Sequence, residues 1–170
     1  MHTHNATIET VRSFATGFST ETTPSSASKV ADFRAILRPG TKIYIACLPG
    51  MSYADVLGTA IRLRTEGFCA VPHIAARNIT GRAALDDLLG RLVREAGVDE
   101  VLCIAGSAPS PAGDFSNSME IMRTGLFEQH GIRRINIGGH PEGSPDFPES
   151  AAMDALAWKS EYAARTGSTI

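Results

Sequence analysis

The sequence predicts an α/β fold of parallel strands joined by helical crossovers, and three observations predict it. Strand-like apolar runs alternate with segments of helical periodicity five times along the 170 residues. Their starts fall roughly thirty residues apart, the span of one strand–helix unit. The chemically unusual residues, Glu21, Pro72-His73, Ala105-Gly106-Ser107 and Gly138-Gly139-His140, all fall where a strand gives way to its loop. Parallel α/β sheets gather their ligands at those carboxyl ends.

Residues 1–12 read as a frayed or helical lead-in, and residues 13–170 as strand–helix units of one domain. The first strand is expected over Ser13 to Glu21, where apolar and small residues alternate. Pro24 and the serines that follow break it, and a short helix is expected over Lys29 to Leu37, closed by Pro39-Gly40. Lys42 to Leu48 is the second strand. Ser52 caps a helix with Val56, Leu57, Ala60, Ile61 and Leu63 at helical spacing, and Gly67 stops it.

Phe68 to Ala75 is the third strand. Gly81 to Ala96 is a helix with Leu85, Leu88, Leu89, Leu92 and Val93 on one face. Glu100 to Gly106 is the fourth strand, running into a proline-rich loop. A helix is expected over Ser116 to His130, the fifth strand over Arg133 to Gly139, and a last helix over Ser150 to Arg165, ended by Gly167.

A closed eight-unit barrel typically needs about 250 residues, so five units do not close one. The expectation is the first five units of a TIM-type (βα)8 barrel, with an open doubly wound sheet as the alternative. The barrel is favoured because FSTETTPSS, after the first strand, lacks the glycine-rich phosphate turn of a doubly wound sheet.

The chain is 43% hydrophobic and 20% charged, with a formal net charge of -2 and a pI near 6.2. That balance offers no basic surface for nucleic acid. No apolar run is long enough for a membrane span, and a cytoplasmic protein is expected. Cys47, Cys69 and Cys103 lack CxxC spacing and sit in apolar runs, so they read as buried thiols; no metal site is expected.

Glu21, at the end of the first strand, suits a general acid if an apolar pocket holds it protonated; capping the next helix is its ordinary role. His73, in an apolar strand, reads most simply as a hydrogen-bonded core residue. Gly138 and Gly139 leave room for a flat ring or phosphate against the strand end, and His140 could stack on a ligand. Asp114 and Asp146 read as turn residues. Asp154 and Lys159 are adequately explained as a solvated helix face. No strand-end lysine is evident for Schiff-base chemistry, which ranks a barrel lyase or aldolase low.

Taken together, Glu21 in an S-x-E-x-x-P setting, Val71-Pro72-His73, Ile104-Ala105-Gly106-Ser107-Ala108-Pro109, Gly139-His140-Pro141-Glu142-Gly143-Ser144-Pro145 and Ser150-Ala151-Ala152-Met153-Asp154 resemble methylenetetrahydrofolate reductase. The resemblance runs from about Ser13 to the end, and its most specific piece is the Pro-Glu-Gly-x-Pro loop. It implies a flavin-carrying eight-stranded barrel that uses NADH or NADPH to reduce FAD, which then reduces methylenetetrahydrofolate to methyltetrahydrofolate for methionine supply.

By position, the resemblance implies that Glu21 is the acid assisting opening of the folate's five-membered ring. It places His73 beside the flavin and Ala105, Gly106, Ser107, Gly138, His140, Ser144 and Asp154 among the FAD contacts. The family's Leu-Arg-Gly-Asp-x-Pro after strand four is here Ile104-Ala105-Gly106-Ser107-Ala108-Pro109, so its arginine and aspartate are replaced. Ala46 stands for a threonine, His140 for an aromatic residue and Ser144 for the loop histidine. The alternative is a non-catalytic folate- or flavin-binding protein or partner subunit. Homo-oligomerisation is left open.

Overall fold

The computed structural model describes residues 7–140, 143 and 147–170. Strands β1 (Ser19–Thr22), β2 (Lys42–Ile45), β3 (Cys69–Ala75), β4 (Glu100–Ile104) and β5 (Arg134–Ile137) form one sheet in the order β1-β2-β3-β4-β5, every pair parallel. The helices are α1 (Ile8–Phe14), α2 (Pro24–Ala27), α3 (Tyr53–Thr65), α4 (Arg82–Ala96), α5 (Ser118–Met122), α6 (Leu126–Gln129) and α7 (Glu149–Thr166). None of them is long and apolar enough to cross a membrane.

Spatial order follows chain order, so the described strands contain no reversal of the kind that defines a doubly wound sheet. Thr169 extends the same progression: it pairs in parallel with Arg134, and the Ile135 amide donates to its carbonyl at 2.9 Å.

Strand periodicity divides the sheet into two faces. Ile43, Ile45, Ile74, Val101, Cys103 and Ile135 face the helices, where they share one core with Leu63 of α3, Leu85 and Leu89 of α4, and Phe127 of α6. The opposite face carries Glu21, Tyr44 and Val71 side by side in register, then His73, Leu102 and Asn136.

Low on that second face lies an ion network. Glu100, 4% exposed, accepts from Lys42 Nζ at 2.7 Å, Arg134 Nε at 3.0 Å and Asn136 Nδ2 at 2.9 Å. Burial opposes its charge, but the donors outweigh burial and hold the carboxyl below its ordinary 4.5. A carboxylate with a lowered folded pKa stabilises the fold above the unfolded value, and that contribution is lost as pH falls through the folded one. Glu100→Gln is expected to cost about 1–3 kcal/mol and to flatten the acid limb of stability below pH 4.5. Denaturant titrations at pH 3 to 7 check it.

Three expected elements are corrected. Ser13 belongs to α1, and the first strand shrinks to Ser19–Thr22; the polar Thr7 side chain caps Thr10, so the lead-in runs on as helix. The helix expected over Lys29 to Leu37 is replaced by α2 and a single 3-10 turn at Phe33–Ala35. Pro24 occupies a helix's first turn, where its missing N–H is harmless, and Thr23 caps it. The Ser116–His130 helix is split into α5 and α6 because Gly125 adopts φ 73°, outside helical space.

Candidate functional site

The carboxyl ends of the strands hold two groups of side chains. On the face away from the helices, Glu21 Oε2 lies 3.3 Å from His73 Nε2. The contact lacks hydrogen-bond alignment, and Nε2 is buried without a partner among the described residues. The Tyr44 ring stands edge-on to His73 at 6.2 Å.

Burial pushes the His73 pKa below its ordinary 6.5, with Glu21 pulling the other way. His73 is therefore neutral at physiological pH. Because its folded pKa is depressed, the unfolded chain takes up the proton first, and stability falls as pH drops from 6.5 through the folded value. His73→Gln is expected to remove that part of the acid loss, as measured by thermal unfolding between pH 5 and 7.

Two supports hold the histidine strand in place. The Tyr53 hydroxyl accepts from the Ala75 amide at 3.0 Å and donates to the Ala75 carbonyl at 3.3 Å. A side chain thus replaces a ladder partner at the end of β3. The Asn78 amide donates to the Cys47 carbonyl at 3.3 Å, tying the turn after β3 to the segment after β2.

Glu21 is less enclosed than expected: its side chain is 59% exposed. It sits on β1, the edge strand among the described residues, in register with Tyr44.

The second group surrounds a cavity of about 220 Å³ between the ends of β4 and β5 and the helices α5 and α7. Ala105, Gly138 and His140 line it, so three expected cofactor residues meet there. A Cβ on Gly138 would come 3.1 Å from His140 Nε2, a crowded approach that the glycine avoids. Gly106 is half-buried and bends the chain at φ 88°. Ser107 and Asp154 are exposed and do not line the cavity. Ser144, like Pro141, Glu142 and Asp146, lies outside the described residues.

The sequence reading missed Arg77 and Lys159. Lys159 does not lie on a solvated helix face: it is 6% exposed and projects from α7 into the cavity. Its turn of α7 packs against the sheet, which a period count over a helix so rich in alanine could not orient. A lysine therefore does reach the strand ends, from a helix rather than a strand. Burial lowers its pKa from the ordinary 10.5, with Cys103 opposing.

Arg77 follows β3. Its Nε donates to the Ser116 carbonyl at 3.1 Å and its Nη1 to the Ala108 carbonyl at 3.2 Å, so it braces the loop after β4. Cys103, fully buried and bonded to the Ser118 carbonyl at 3.7 Å, has its thiol pushed up to about 12 by burial and is chemically inert. Cys47 is buried and Cys69 half-buried, both free thiols. No family model matches the chain.

Proposed function

We propose that the protein is a flavin-dependent reductase that converts methylenetetrahydrofolate to methyltetrahydrofolate at the expense of NADH or NADPH. The observation that carries this reading is the Glu21–His73 contact at the carboxyl ends of β1 and β3; a cavity bounded by Ala105, Gly138 and His140 lies at the ends of β4 and β5. The five strands in sequential parallel order fit an arc of a (βα)8 barrel, whose inner face would carry the Glu21–His73 pair.

FAD is too large for the 220 Å³ cavity alone, but the residues present fit part of it. Two cations, Arg77 and Lys159, line the cavity, and no carboxylate does among the described residues, which suits an anionic diphosphate. His73 and the glycines at the strand ends would be the residues available to hold the ring. When bound, the flavin supplies two-electron transfer between nicotinamide and folate.

The chain's own residues supply the rest. Glu21 delivers a proton to the folate nitrogen as its carbon–nitrogen bond opens, since that nitrogen leaves only as it gains a proton. Desolvation favours a neutral carboxylic acid, and ligands stacked on the strand ends displace the water around Glu21. Neutral His73, 3.3 Å from Glu21, would be the side chain of β3 available to contact the flavin, and its unpartnered Nε2 would be free to meet a ligand.

A second reading, a folate- or flavin-binding protein without turnover, is favoured by one observation: Gly106-Ser107 replaces the charged pair the resemblance leads one to expect. Product analysis separates the two. Full-length protein incubated with FAD, NADH and methylenetetrahydrofolate should yield methyltetrahydrofolate in an FAD-dependent manner. Binding of both ligands with no product would establish the second reading.

A further inference from the structure

We infer that Arg77 is a positioning residue: it clasps the loop after β4 onto the turn after β3, and so sets where Ala105, Gly106 and Ser107 stand at the strand ends. The loop has little to hold itself in place. Between Ile104 and Phe115 no side chain is buried, and Pro109 and Pro111 bring no N–H. A segment without apolar anchors takes its order from hydrogen bonds.

The hydrogen bonds that join residues 105–114 to the rest of the described structure all end on Arg77. Its N–H donates to the Ala105 carbonyl at 2.9 Å, and its own carbonyl accepts from the Ala112 amide at 2.9 Å. Its Nη1 donates to the Ala108 carbonyl at 3.2 Å, and its Nε reaches past the loop to the Ser116 carbonyl at 3.1 Å. A guanidinium suits this task, because its planar donors meet two carbonyls at fixed angles and its charge strengthens both bonds.

The other side of the clasp is fixed. In the turn after β3, Ala76 and Ile79 are buried in the core, and Asn78 is bonded to the Cys47 carbonyl. An exposed loop is thus tied to a turn that the core holds. Loop and turn meet at one further point: a Cβ on Gly113 would overlap the Thr80 carbonyl, so this close approach requires glycine. Where a loop's residues touch a ligand, a displacement of about 1 Å can cost on the order of 10²-fold. The clasp stands on hydrogen bonds alone; only its effect on FAD rests on the reductase reading above.

The test uses the full-length protein, its Arg77→Met, Arg77→Lys and Gly113→Ala variants, amide hydrogen exchange, and calorimetric titration with FAD. Arg77→Met is expected to speed exchange of the Ala112 amide by about tenfold or more, the loss that one hydrogen bond to a charged group implies, with α3 and α4 unchanged. Arg77→Lys, able to meet only one carbonyl, is expected to fall between. Gly113 lies outside the cavity lining, so Gly113→Ala moves the loop without touching the cavity; it is expected to loosen the loop as Arg77→Met does and to weaken FAD by a similar factor. Exchange at Ala112 that is unchanged in Arg77→Met overturns the clasp, as does a rise spread evenly over helices and strands. FAD binding weakened by Arg77→Met but not by Gly113→Ala, when both loosen the loop, makes Arg77 a direct ligand and overturns its positioning role. A loop loosened in both variants, with no FAD bound by the wild type, supports the clasp and removes the flavin reading.

Discussion

In the proposed reductase reaction, Glu21→Gln is expected to lower the rate of folate reduction by about 10²–10⁴-fold and to leave reduction of flavin by NADH unchanged. The two half-reactions differ in their need for a proton donor. Hydride transfer from nicotinamide to flavin breaks no carbon–nitrogen bond, whereas opening the folate ring requires a proton on the departing nitrogen. Glutamine is isosteric, keeps the contact with His73 and has no acidic proton to give. Because the Glu21 side chain is 59% exposed on an edge strand, the substitution should not change folding stability by more than about 0.5 kcal/mol. Anaerobic stopped-flow absorbance resolves the two half-reactions, and an equal loss in both would remove Glu21 from the role of acid.

Lys159→Met is expected to raise thermal stability. The folded protein holds Lys159 at a depressed pKa, so below the ordinary value of 10.5 the unfolded chain binds the proton more tightly and the fold pays for burial across the neutral range. Methionine preserves the length of the stem and removes the charge. A gain of about 1–3 kcal/mol is of the size seen when buried charge is replaced by apolar side chains; for a domain of this size it corresponds to roughly 2–10 °C in Tm. Differential scanning calorimetry at pH 7, without phosphate, measures the effect, and a lower Tm for the variant would mean that Lys159 has a partner in the folded protein.

How far the sequence carried depends on how locally each feature is encoded. Strands β2 to β5 and the helices α3, α4 and α7 were legible because their apolar residues repeat at the period of the element, and because Ser52 and Gly167 mark helix ends. The region between Ser13 and Leu37 was not, since its small polar residues suit strand, turn and helix alike, and Thr23-Pro24 decided the outcome by capping a four-residue helix. Gly125 broke a segment whose periodicity alone reads as one helix.

The site divides the same way. Glu21 and His73 were nameable because each ends or interrupts a strand, and register brings their strands' faces together. Arg77 and Lys159 were not, because their meeting is tertiary: one comes from the turn after β3 and the other from α7, more than eighty residues later. The only local signal was the apolar company of Lys159, Leu156 and Trp158 on one side and Tyr162 and Ala163 on the other.

The measurement that tests the central claim most directly is the absorbance spectrum of freshly purified full-length protein, followed by anaerobic titration with NADH and then methylenetetrahydrofolate. The account predicts a flavin band that bleaches on NADH addition and returns when the folate is added. Protein that shows no flavin band, and gains none when FAD is supplied, would contradict it.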